Sequence, residues 1–395
     1  MMFFIVILLA IMGLIGTDIF TPSLPAIAEA FHQSPNATQL TISLFLCGFA
    51  FSQLFYGPFS DRIGRKLPLI LGVSIFTLGS IICATTPSFL YLCLGRLIEG
   101  LGVGSGLSLA RVIIRDRYQG TLMAVRSSQI ATFVSLTPAV APFFGGLLQQ
   151  HFGFRASFIF MTAYGFLLLV LMLFYFKETI QYKDKNLTLH HTLINYSRLI
   201  KNTQFMRYVL ISGLAFSSII LCANIMPFII QNQLKFSAIQ NGEIILIAAL
   251  GVSCGALLSS QLVKTINPEK LINYGLTILV ICGALLIWSQ YCFGTTLYCL
   301  IPLIFLITIS CGFIFPNALT LSFAQVTVNI GIAGAIYGFI QILISTLTNF
   351  LLNFITAQGQ SLLGIFYLSI GIIGLLLFYY PSHLLFKSRK IFISE

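Results

Sequence analysis

Twelve long apolar runs constrain this sequence more than any other feature. Each has about the 20 residues, or more, that an α-helix needs to cross the hydrocarbon core of a bilayer. Apolar runs of that length with few charges predict membrane-spanning helices. We place the helices at residues 2–29, 39–60, 68–86, 90–113, 125–150, 156–176, 207–232, 242–263, 270–290, 297–321, 333–356 and 361–381.

The composition supports a membrane protein. Hydrophobic residues make up 57% of the 395 residues and charged residues only 8%, whereas a soluble domain carries about 25% charged residues. The nine cysteines are scattered, without a CxxC pair or a Cys/His cluster, so we expect small buried hydrophobes and no metal site. The first run lacks the basic flank and cleavage site of a secretory leader, which predicts a helix that stays in the membrane.

The basic residues predict the orientation in the membrane. Of the 21 lysines and arginines, all but Arg96, Arg155 and Lys235 fall on one side of the twelve helices. By the positive-inside rule that side faces the cytoplasm, and an even number of helices then puts both termini there. The net charge of +11 is therefore a topology signal, and we expect no nucleic-acid partner.

The order of the helices predicts two pseudo-symmetric halves. Parallel repeats of this kind occur in transporters that bind substrate near the midplane of the membrane. We predict an all-α polytopic membrane protein with six-helix bundles at 1–176 and 207–381, a cytoplasmic linker at 177–206 and a basic tail at 382–395. One helical face of the linker predicts an interfacial amphipathic helix; it carries Leu189, Leu193, Tyr196 and Ile200.

The connection after the second helix holds the stretch GPFSDRIGRK at 57–66. We expect Gly57 to let the chain leave the helix and Gly64 to permit a tight turn. Asp61 and Arg65 are spaced to form an ion pair. A charged turn that only anchors the topology is the alternative interpretation. The two remaining basic residues, which can meet lipid phosphates, are Arg62 and Lys66.

This stretch resembles the signature loop of the major facilitator superfamily, G-x-x-x-D-R-x-G-R-K/R, and agrees with it at every position. The resemblance implies the major facilitator fold of two six-helix bundles. It also implies a cytoplasmic gate in which Asp61 faces the start of the eleventh helix, near Ile332, where the helix dipole would favour the carboxylate. The implied gate residues are Gly57, Asp61, Arg62, Gly64, Arg65 and Lys66.

Other stretches resemble, within that superfamily, the bicyclomycin/chloramphenicol-resistance branch (Bcr/CflA type). They are DIFTPSLPAIAEAF, LGRLIEGLGVG, ARVIIRDRYQG and LTPAVAPFFGGLL in the first half, and FPNALTLSFA and GIAGAIYGFIQ in the second. The similarity is weaker in the second half, where the connection KTINPEK lacks the Gly and Asp of the signature loop. The resemblance implies export of a substrate in exchange for protons.

Asp18 lies within the first predicted helix and is followed by Pro22 and Pro25. A charged side chain at the bilayer centre costs about 2.5–3.5 kcal/mol on insertion scales, so it needs a structural partner or a function. The resemblance implies that Asp18 carries the coupling proton, because the branch has an acidic residue in a D-x-x-x-P-x-L-P setting. The alternative is a permanent ion pair with Arg96 that holds two helices together.

Arg96 and Glu99 lie three residues apart on one face of the fourth predicted helix. Arg96 stays charged and needs an anionic or carbonyl partner. The resemblance implies that Arg96 lines the cavity and assists proton transfer; simple bonding between helices is the alternative. The related pattern has Gln in place of Glu99, so Glu99 is either a second proton carrier or the counter-ion of Arg96.

The fifth predicted helix combines Pro138, Pro142, Gly145 and Gly146. Prolines weaken the backbone hydrogen-bond ladder and predict a kinked helix that can flex. The resemblance places the antiporter motif of exporters here, although Ala141 stands where the broader pattern has Gly.

The second half offers neutral polar side chains within its helices. Each is either part of a substrate cavity shared with Asp18 or one side of a hydrogen bond between helices. The candidates are Asn224, Asn317, Gln341, Asn349 and Asn353.

We therefore predict a secondary active transporter that exports small, largely apolar drug-like compounds by proton antiport and alternating access. A specific metabolite, nutrient or siderophore, taken up or exported, is the alternative substrate, and a non-transporting membrane sensor is the alternative class. We expect a monomer in a bacterial inner membrane whose partners are a small-molecule substrate, protons and lipids. We expect no enzymatic activity and no cofactor, because the sequence has no G-x-x-x-x-G-K-[ST] motif and no nucleophile–base pair in its apolar runs.

Overall fold

A computed structural model describes residues 1–180, 189–324, 326, 330–352 and 359–379. Within these residues the protein contains helices and no strands, and twelve helical spans are long and apolar enough to cross a membrane. The predicted all-α membrane fold is confirmed. The tail at 382–395, the linker residues 181–188 and the cavity candidate Asn353 lie outside the described residues.

The helices follow the predicted apolar runs closely. Two of them, α1 and α2, together form the first span, and α8 belongs to the linker. The bounds are α1 Met2–Asp18, α2 Leu24–Ala30, α3 Pro35–Ile63, α4 Lys66–Thr85, α5 Phe89–Arg117, α6 Gly120–Phe152, α7 Arg155–Tyr175, α8 Leu189–Ile200, α9 Thr203–Pro227, α10 Ala238–Leu262, α11 Pro268–Phe293, α12 Leu297–Phe323, α13 Ile330–Leu351 and α14 Gln360–Tyr379.

The connection between α5 and α6 is shorter than the sequence predicts. Only Tyr118 and Gln119 separate the two helices, so Arg115 and Arg117 lie on α5 rather than in a loop. A helix satisfies its own backbone hydrogen bonds and can therefore continue past the apolar part of its sequence. Arginines in the last turn of α5 also interact favourably with the helix dipole.

The chain leaves α3 at Gly64 and not at Gly57. Gly57 and Pro58 both lie inside the helix, which ends at Ile63, and Gly64 has a φ of +110°. The prediction for Gly64 is confirmed, since a residue with positive φ at this position favours glycine. The prediction for Gly57 was wrong, because glycine also adopts helical backbone angles and does not by itself end a helix.

Buried apolar side chains form three clusters among the described residues. The largest is built mainly from α1 to α7, and the second from α9 to α14. The third contains Tyr196 of α8, Phe205 of α9 and Tyr337 of α13. We call the end of the molecule that carries α8 and the α3–α4 connection the linker side, and the opposite end the far side. The boundaries of the two predicted halves stay a prediction.

Candidate functional site

The first span is broken between Asp18 and Thr21. Pro22 lacks the N–H that would bond the Asp18 carbonyl in a continuous helix. The hydroxyl of Thr21 donates to that carbonyl instead, at 2.8 Å. A 3₁₀ turn then covers Thr21–Ser23 before α2 begins. The break leaves carbonyl groups at the end of α1 available to other partners.

Asp18 is the last residue of α1, and its side chain is buried, with 5% of its surface exposed. Within the described part of the chain, no hydrogen bond or ion pair reaches its carboxylate. Backbone atoms crowd the break beside it. Ser157 donates to the Ile19 carbonyl at 3.4 Å, and Gly145 of α6 packs against the same carbonyl. An intramembrane carboxylate without a partner is a functional candidate, because burial makes its charge expensive.

Arg96 is fully buried on α5 and makes contacts on several sides. Its Nη2 donates to the carbonyl of Gly16 at 2.9 Å, and its Nη1 donates to the carboxylate of Glu99. The guanidinium also lies against the rings of Phe20 and Phe45, 4.0 and 4.1 Å from their centroids. A cation at the open C-terminal end of α1 further interacts favourably with the helix dipole.

Glu99 is the counter-ion of Arg96. It is fully buried; one carboxylate oxygen accepts from Arg96, and the other accepts from the hydroxyl of Ser80 on α4 at 2.6 Å. Gly79 permits this close approach, since a Cβ there would lie 2.6 Å from the Glu99 backbone nitrogen. The permanent ion pair of Arg96 with Asp18 is therefore wrong for this structure, because the described contacts of Arg96 go to other groups.

Arg65 makes the central contacts of the connection between α3 and α4. Its guanidinium contacts the carboxylates of Asp61 at 2.5 Å and Asp116 at 2.9 Å, and it donates to the Ser60 hydroxyl at 2.7 Å. Burial alone would lower the pKa of Arg65, but the hydrogen bonds and charges of Asp116 and Asp61 raise that pKa above its usual value. The structure contains the expected Asp61–Arg65 pair and adds Asp116, which ties the end of α5 to the loop.

Glu178, which follows α7, caps the N-terminus of α4. Its two carboxylate oxygens accept from the backbone N–H groups of Arg65 at 2.8 Å and Lys66 at 3.1 Å. Partial burial alone would raise the pKa of Glu178, but the backbone donors of Arg65, Lys66, Ile180 and Thr179 lower that pKa below its usual value. The first turn of α4 thus gains an anion at the positive end of its dipole.

The sequence predicts neither Asp116 nor Glu178 as part of this loop. Each is a carboxylate within a basic stretch, and this is the one sequence signal that could have identified them.

The latch between Asp61 and the eleventh span stays a prediction. The described residues show no hydrogen bond between Asp61 and α13, and residues 327–329, just before α13, lie outside the described residues. Of the two predicted lipid contacts, Arg62 is exposed, whereas Lys66 donates to a carbonyl of α7 at 3.4 Å.

The prolines and glycines of α6 lie where this helix approaches α10. Pro138 and Pro142 are inside the helix. A Cβ on Gly146 would lie 2.5 Å from the carbonyl oxygen of Ala238, and Gly242 of α10 approaches the backbone of α6 in the same way. The two helices therefore pack backbone against backbone on the far side, as small residues allow.

Three polar candidates of the second half lie between α9 and α13. Asn224 of α9 donates to Asn349 of α13, and Asn349 donates to the Ser345 carbonyl at 2.8 Å. Gln341, also on α13, donates to the hydroxyl of Ser212 on α9 at 3.3 Å. The Oδ1 atom of Asn224 is buried without a partner among the described residues, which leaves an acceptor that a ligand or water could use.

Asn317 lies on α12 and contacts α10. Its Nδ2 donates to the hydroxyl of Ser259 on α10 and to the carbonyl of Phe313, both at 2.7 Å. This arrangement favours the structural alternative, a hydrogen bond between two helices of the second half.

Sequence comparisons agree with this architecture. A family model described as Major Facilitator Superfamily matches residues 6–351. An uncharacterized MFS-type transporter of Bacillus subtilis is 27% identical over 88% of this chain and 87% of its own length. Multidrug resistance protein D of Escherichia coli is 26% identical over 93% of this chain and 92% of its own. A bicyclomycin resistance protein homolog of Haemophilus influenzae is 26% identical over 69% of each chain.

A solved structure shows the same fold. The crystal structure of a D-xylose–proton symporter superposes with a TM-score of 0.76 at 16% sequence identity, covering 96% of this chain and 97% of that one. At this identity the likeness shows the fold alone. The family match and the named relatives confirm the resemblance noted from the signature loop and the neighbouring motifs.

Proposed function

Because the chain belongs to the Major Facilitator Superfamily, we propose that it is a secondary active transporter that exports small, largely apolar drug-like compounds in exchange for protons. The names of the multidrug and bicyclomycin resistance relatives support a drug-like substrate. One observation carries the proton coupling: Asp18 is a buried carboxylate that no described side chain pairs with. The buried cation of α5, Arg96, is paired with Glu99.

Asp18 is the proton carrier in this mechanism. A protonated Asp18 is neutral and tolerated at the buried break, whereas the ionised form needs compensation from water or a ligand. Substrate entering from the cytoplasm displaces the proton, and after the two halves reorient, substrate leaves outside and Asp18 is protonated again. Each charge moved across 100 mV is worth about 2.3 kcal/mol, so one proton at about 150 mV supports roughly a 300-fold gradient of a neutral substrate.

The remaining residues have supporting roles. The ion pairs of Arg65 with Asp61 and Asp116 join the linker-side ends of α3 and α5, and we assign this network to the cytoplasmic gate. Asn224, Gln341 and Asn349, between α9 and α13, complete the substrate cavity opposite Asp18. In this proposal the linker side faces the cytoplasm of a bacterial cell, and the protein acts as a monomer among lipids, without a cofactor.

The test uses purified protein in liposomes with a pH-sensitive dye inside and an imposed proton gradient. Amphenicols, bicyclomycin, sulfonamides and lipophilic cations are added in turn to wild type, Asp18→Asn and the control Glu29→Gln, which alters an exposed carboxylate on the same span. We expect at least one compound to trigger proton flux in wild type and control but not in Asp18→Asn.

Two outcomes would contradict the proposal in different ways. Flux that survives in Asp18→Asn removes the coupling proton from that residue. Absence of flux with every compound, in wild-type protein shown to be folded, argues against a drug-like substrate and favours a metabolite.

A further inference from the structure

Helices α3, α5 and α13 meet at a polar contact in the linker-side half of the molecule. The hydroxyl of Ser108 on α5 donates to Oε1 of Gln53 on α3 at 2.7 Å. A Cβ on Gly338 of α13 would lie 3.2 Å from the same oxygen. The three helices are therefore in close contact at this level.

One helical turn nearer the linker side, the same three helices leave open space between them. A Cβ on Gly57 of α3 or on Gly334 of α13 would meet nothing within 4 Å. Each glycine lies four residues from the residue of its helix that makes the polar contact, and thus on the same face. On α5 the corresponding position, three residues after the contact, is Arg111. We call the space that these three positions line the linker-side cleft.

Arg111 is a cation without a partner among the described residues. Its side chain is exposed, and no hydrogen bond or ion pair of the described residues reaches it. The surrounding protein nevertheless desolvates the guanidinium, and the hydroxyl of Tyr337 on α13 interacts with it electrostatically. Tyr337 is buried and precedes Gly338 in the chain, so the guanidinium lies toward α13 and lines the cleft.

The carboxylates at the linker-side ends of α3 and α5 are occupied elsewhere, since Asp61 and Asp116 both bind Arg65. The two arginines in the last turn of α5 interact favourably with the helix dipole. Arg111 precedes that turn and has neither kind of support. A partly desolvated charge without a counter-ion is unfavourable, and an anion that enters the cleft would compensate it.

The hydroxyl groups near Arg111 supply a further hydrogen-bond donor. Gln341 donates to the hydroxyl of Ser212 at 3.3 Å, and that hydroxyl lies 2.5 Å from the hydroxyl of Tyr337. Because Ser212 already accepts from Gln341, it can donate to Tyr337, which leaves the Tyr337 O–H free for another acceptor. A guanidinium and a hydroxyl are then available to one anionic group, and the planar donors of arginine suit the oxygens of such a group.

We propose that the linker-side cleft binds an organic monoanion and that Arg111 holds its anionic group. The inference rests on the proposed function, whose drug-like substrates it narrows to compounds with an apolar body and one carboxylate, sulfonate or comparable group. The linker side faces the cytoplasm in that proposal, so the cleft is where an exported compound enters. A neutral compound would leave the charge of Arg111 uncompensated and bind less tightly.

The test measures binding of two matched probes to the full-length protein. The anion is naphthalene-1-sulfonate, and the neutral match is naphthalene-1-sulfonamide, which keeps the ring system and the sulfonyl group. Equilibrium dialysis against protein in phosphatidylcholine nanodiscs gives both affinities at neutral pH, with empty nanodiscs as the blank. We expect the sulfonate to bind about tenfold more tightly, since a hydrogen bond to a charged group is worth roughly that factor or more.

Arg111→Gln should remove this preference, and Arg111→Lys should keep most of it because the positive charge remains. Arg117→Gln is the control: it removes one charge from an exposed arginine of the same helix and should leave the preference unchanged. The proposal is overturned if wild type binds the two probes equally, or if Arg111→Gln and Arg117→Gln show the same preference.

A second pair of variants covers a folding defect in Arg111→Gln. A side chain at Gly334 enters open space, so Gly334→Asp places a carboxylate in the cleft, where it competes with the sulfonate for Arg111. Gly334→Asn is the neutral match of the same shape. Loss of the preference in the Asp variant alone supports the proposal, and equal preferences in the two variants overturn it.

Failure of the proposed function would look different. If proton flux survives in Asp18→Asn liposomes, or if no compound triggers flux, the coupling or the drug-like substrate is wrong, while the sulfonate preference is still measured because binding needs no transport. Equal binding of the two probes, together with flux that Asp18→Asn abolishes, removes the anion site and leaves the coupling.

Discussion

The hydroxyl of Tyr196 donates to the backbone carbonyl of Leu54 at 2.9 Å, and this is the carbonyl that Pro58 deprives of its helical donor. In an uninterrupted helix, the N–H of residue 58 would bond the carbonyl of residue 54. Tyr196 belongs to the linker helix α8, 142 residues further along the chain. The linker is therefore attached to α3 at a defect that the sequence of α3 creates.

We predict that Tyr196→Phe destabilises the protein by about 1–2 kcal/mol, because the Leu54 carbonyl loses its donor. Burial and the neighbouring Asp61 carboxylate raise the pKa of Tyr196 to about 12, so the hydroxyl keeps its proton and the effect should not vary across the physiological pH range. Thermal unfolding of the full chain in detergent measures the loss. Tyr175→Phe, at an exposed tyrosine, is the control and should be neutral.

A double-mutant cycle makes this test specific to the hydrogen bond. Pro58→Ala returns an N–H to the helical ladder, so Tyr196→Phe should cost much less in that background. Equal costs in the two backgrounds would mean that Tyr196 contributes through packing and not through the Leu54 carbonyl.

Glu178→Gln should make the stability of the protein less sensitive to acid. The pKa of Glu178 is lowered in the folded protein, so its contribution is fully present above the pKa of the unfolded chain, about 4.3, and is lost as the pH falls through the lower folded value. The side chain is exposed, and solvent screening limits the effect to about 0.5 kcal/mol.

The measurement is the melting temperature as a function of pH. Wild type should lose stability below about pH 5 more steeply than Glu178→Gln. Glu29→Gln, at an exposed carboxylate of α2, should follow the wild-type curve. If the melting temperature of Glu178→Gln falls at low pH as steeply as that of wild type, the N-terminus of α4 does not depend on this cap.

The spans could be predicted from the sequence because the bilayer imposes a length on each of them. The break in the first span was missed, because the predicted helix at 2–29 runs through Pro22 and Pro25, although each of them removes a helical donor. The end of α3 was placed wrongly, at Gly57, because a helix continues through a glycine whose backbone angles stay helical.

The partners within the site could not be predicted in the same way. The sequence offers two carboxylates, Asp18 and Glu99, as possible partners of Arg96. Only the packing of the helices decides between them. Asp116 lies 51 residues from Arg65 and Glu178 lies 113 residues from it, so no spacing rule connects them. Periodicity describes a helix, whereas these contacts depend on how helices far apart in sequence meet.

Asn241 is fully buried near the start of α10, and neither its Oδ1 nor its Nδ2 has a partner among the described residues. A buried polar group left unpaired costs about 1–3 kcal/mol. Asn241→Leu, which keeps the same branched arrangement of side-chain heavy atoms, should therefore stabilise this conformation by a comparable amount. Because Asn241 adjoins the far-side contact of α6 and α10, the same change should slow transport by making that contact harder to open.

Thermal unfolding and the transport rate in liposomes check both parts of this prediction. Asn273→Leu is the matched control: the Oδ1 of Asn273 also has no partner among the described residues, but its Nδ2 donates to Tyr379 at 2.9 Å, so this change should stabilise less. A lower melting temperature in Asn241→Leu would contradict the prediction and indicate that bound water already satisfies the amide.

Two glycine-to-alanine changes should have opposite effects on the same protein. At Gly146 a Cβ would lie 2.5 Å from the Ala238 carbonyl oxygen, so Gly146→Ala forces α6 and α10 apart at a cost of about 1–3 kcal/mol. At Gly57, inside α3, a Cβ meets nothing within 4 Å, so Gly57→Ala gains up to about 1 kcal/mol of helix propensity. Both changes are measured by thermal unfolding.

A second measurement reports where the Gly146 change acts. Ser23→Cys places a thiol at a fully buried position of the broken span, and peptide mass spectrometry follows its reaction with a membrane-impermeant thiol reagent. Separating α6 from α10 on the far side should speed that reaction in the Gly146→Ala background and leave it unchanged with Gly57→Ala. If Gly146→Ala lowers stability without speeding the reaction, the close contact serves folding and does not control access to the break beside Asp18.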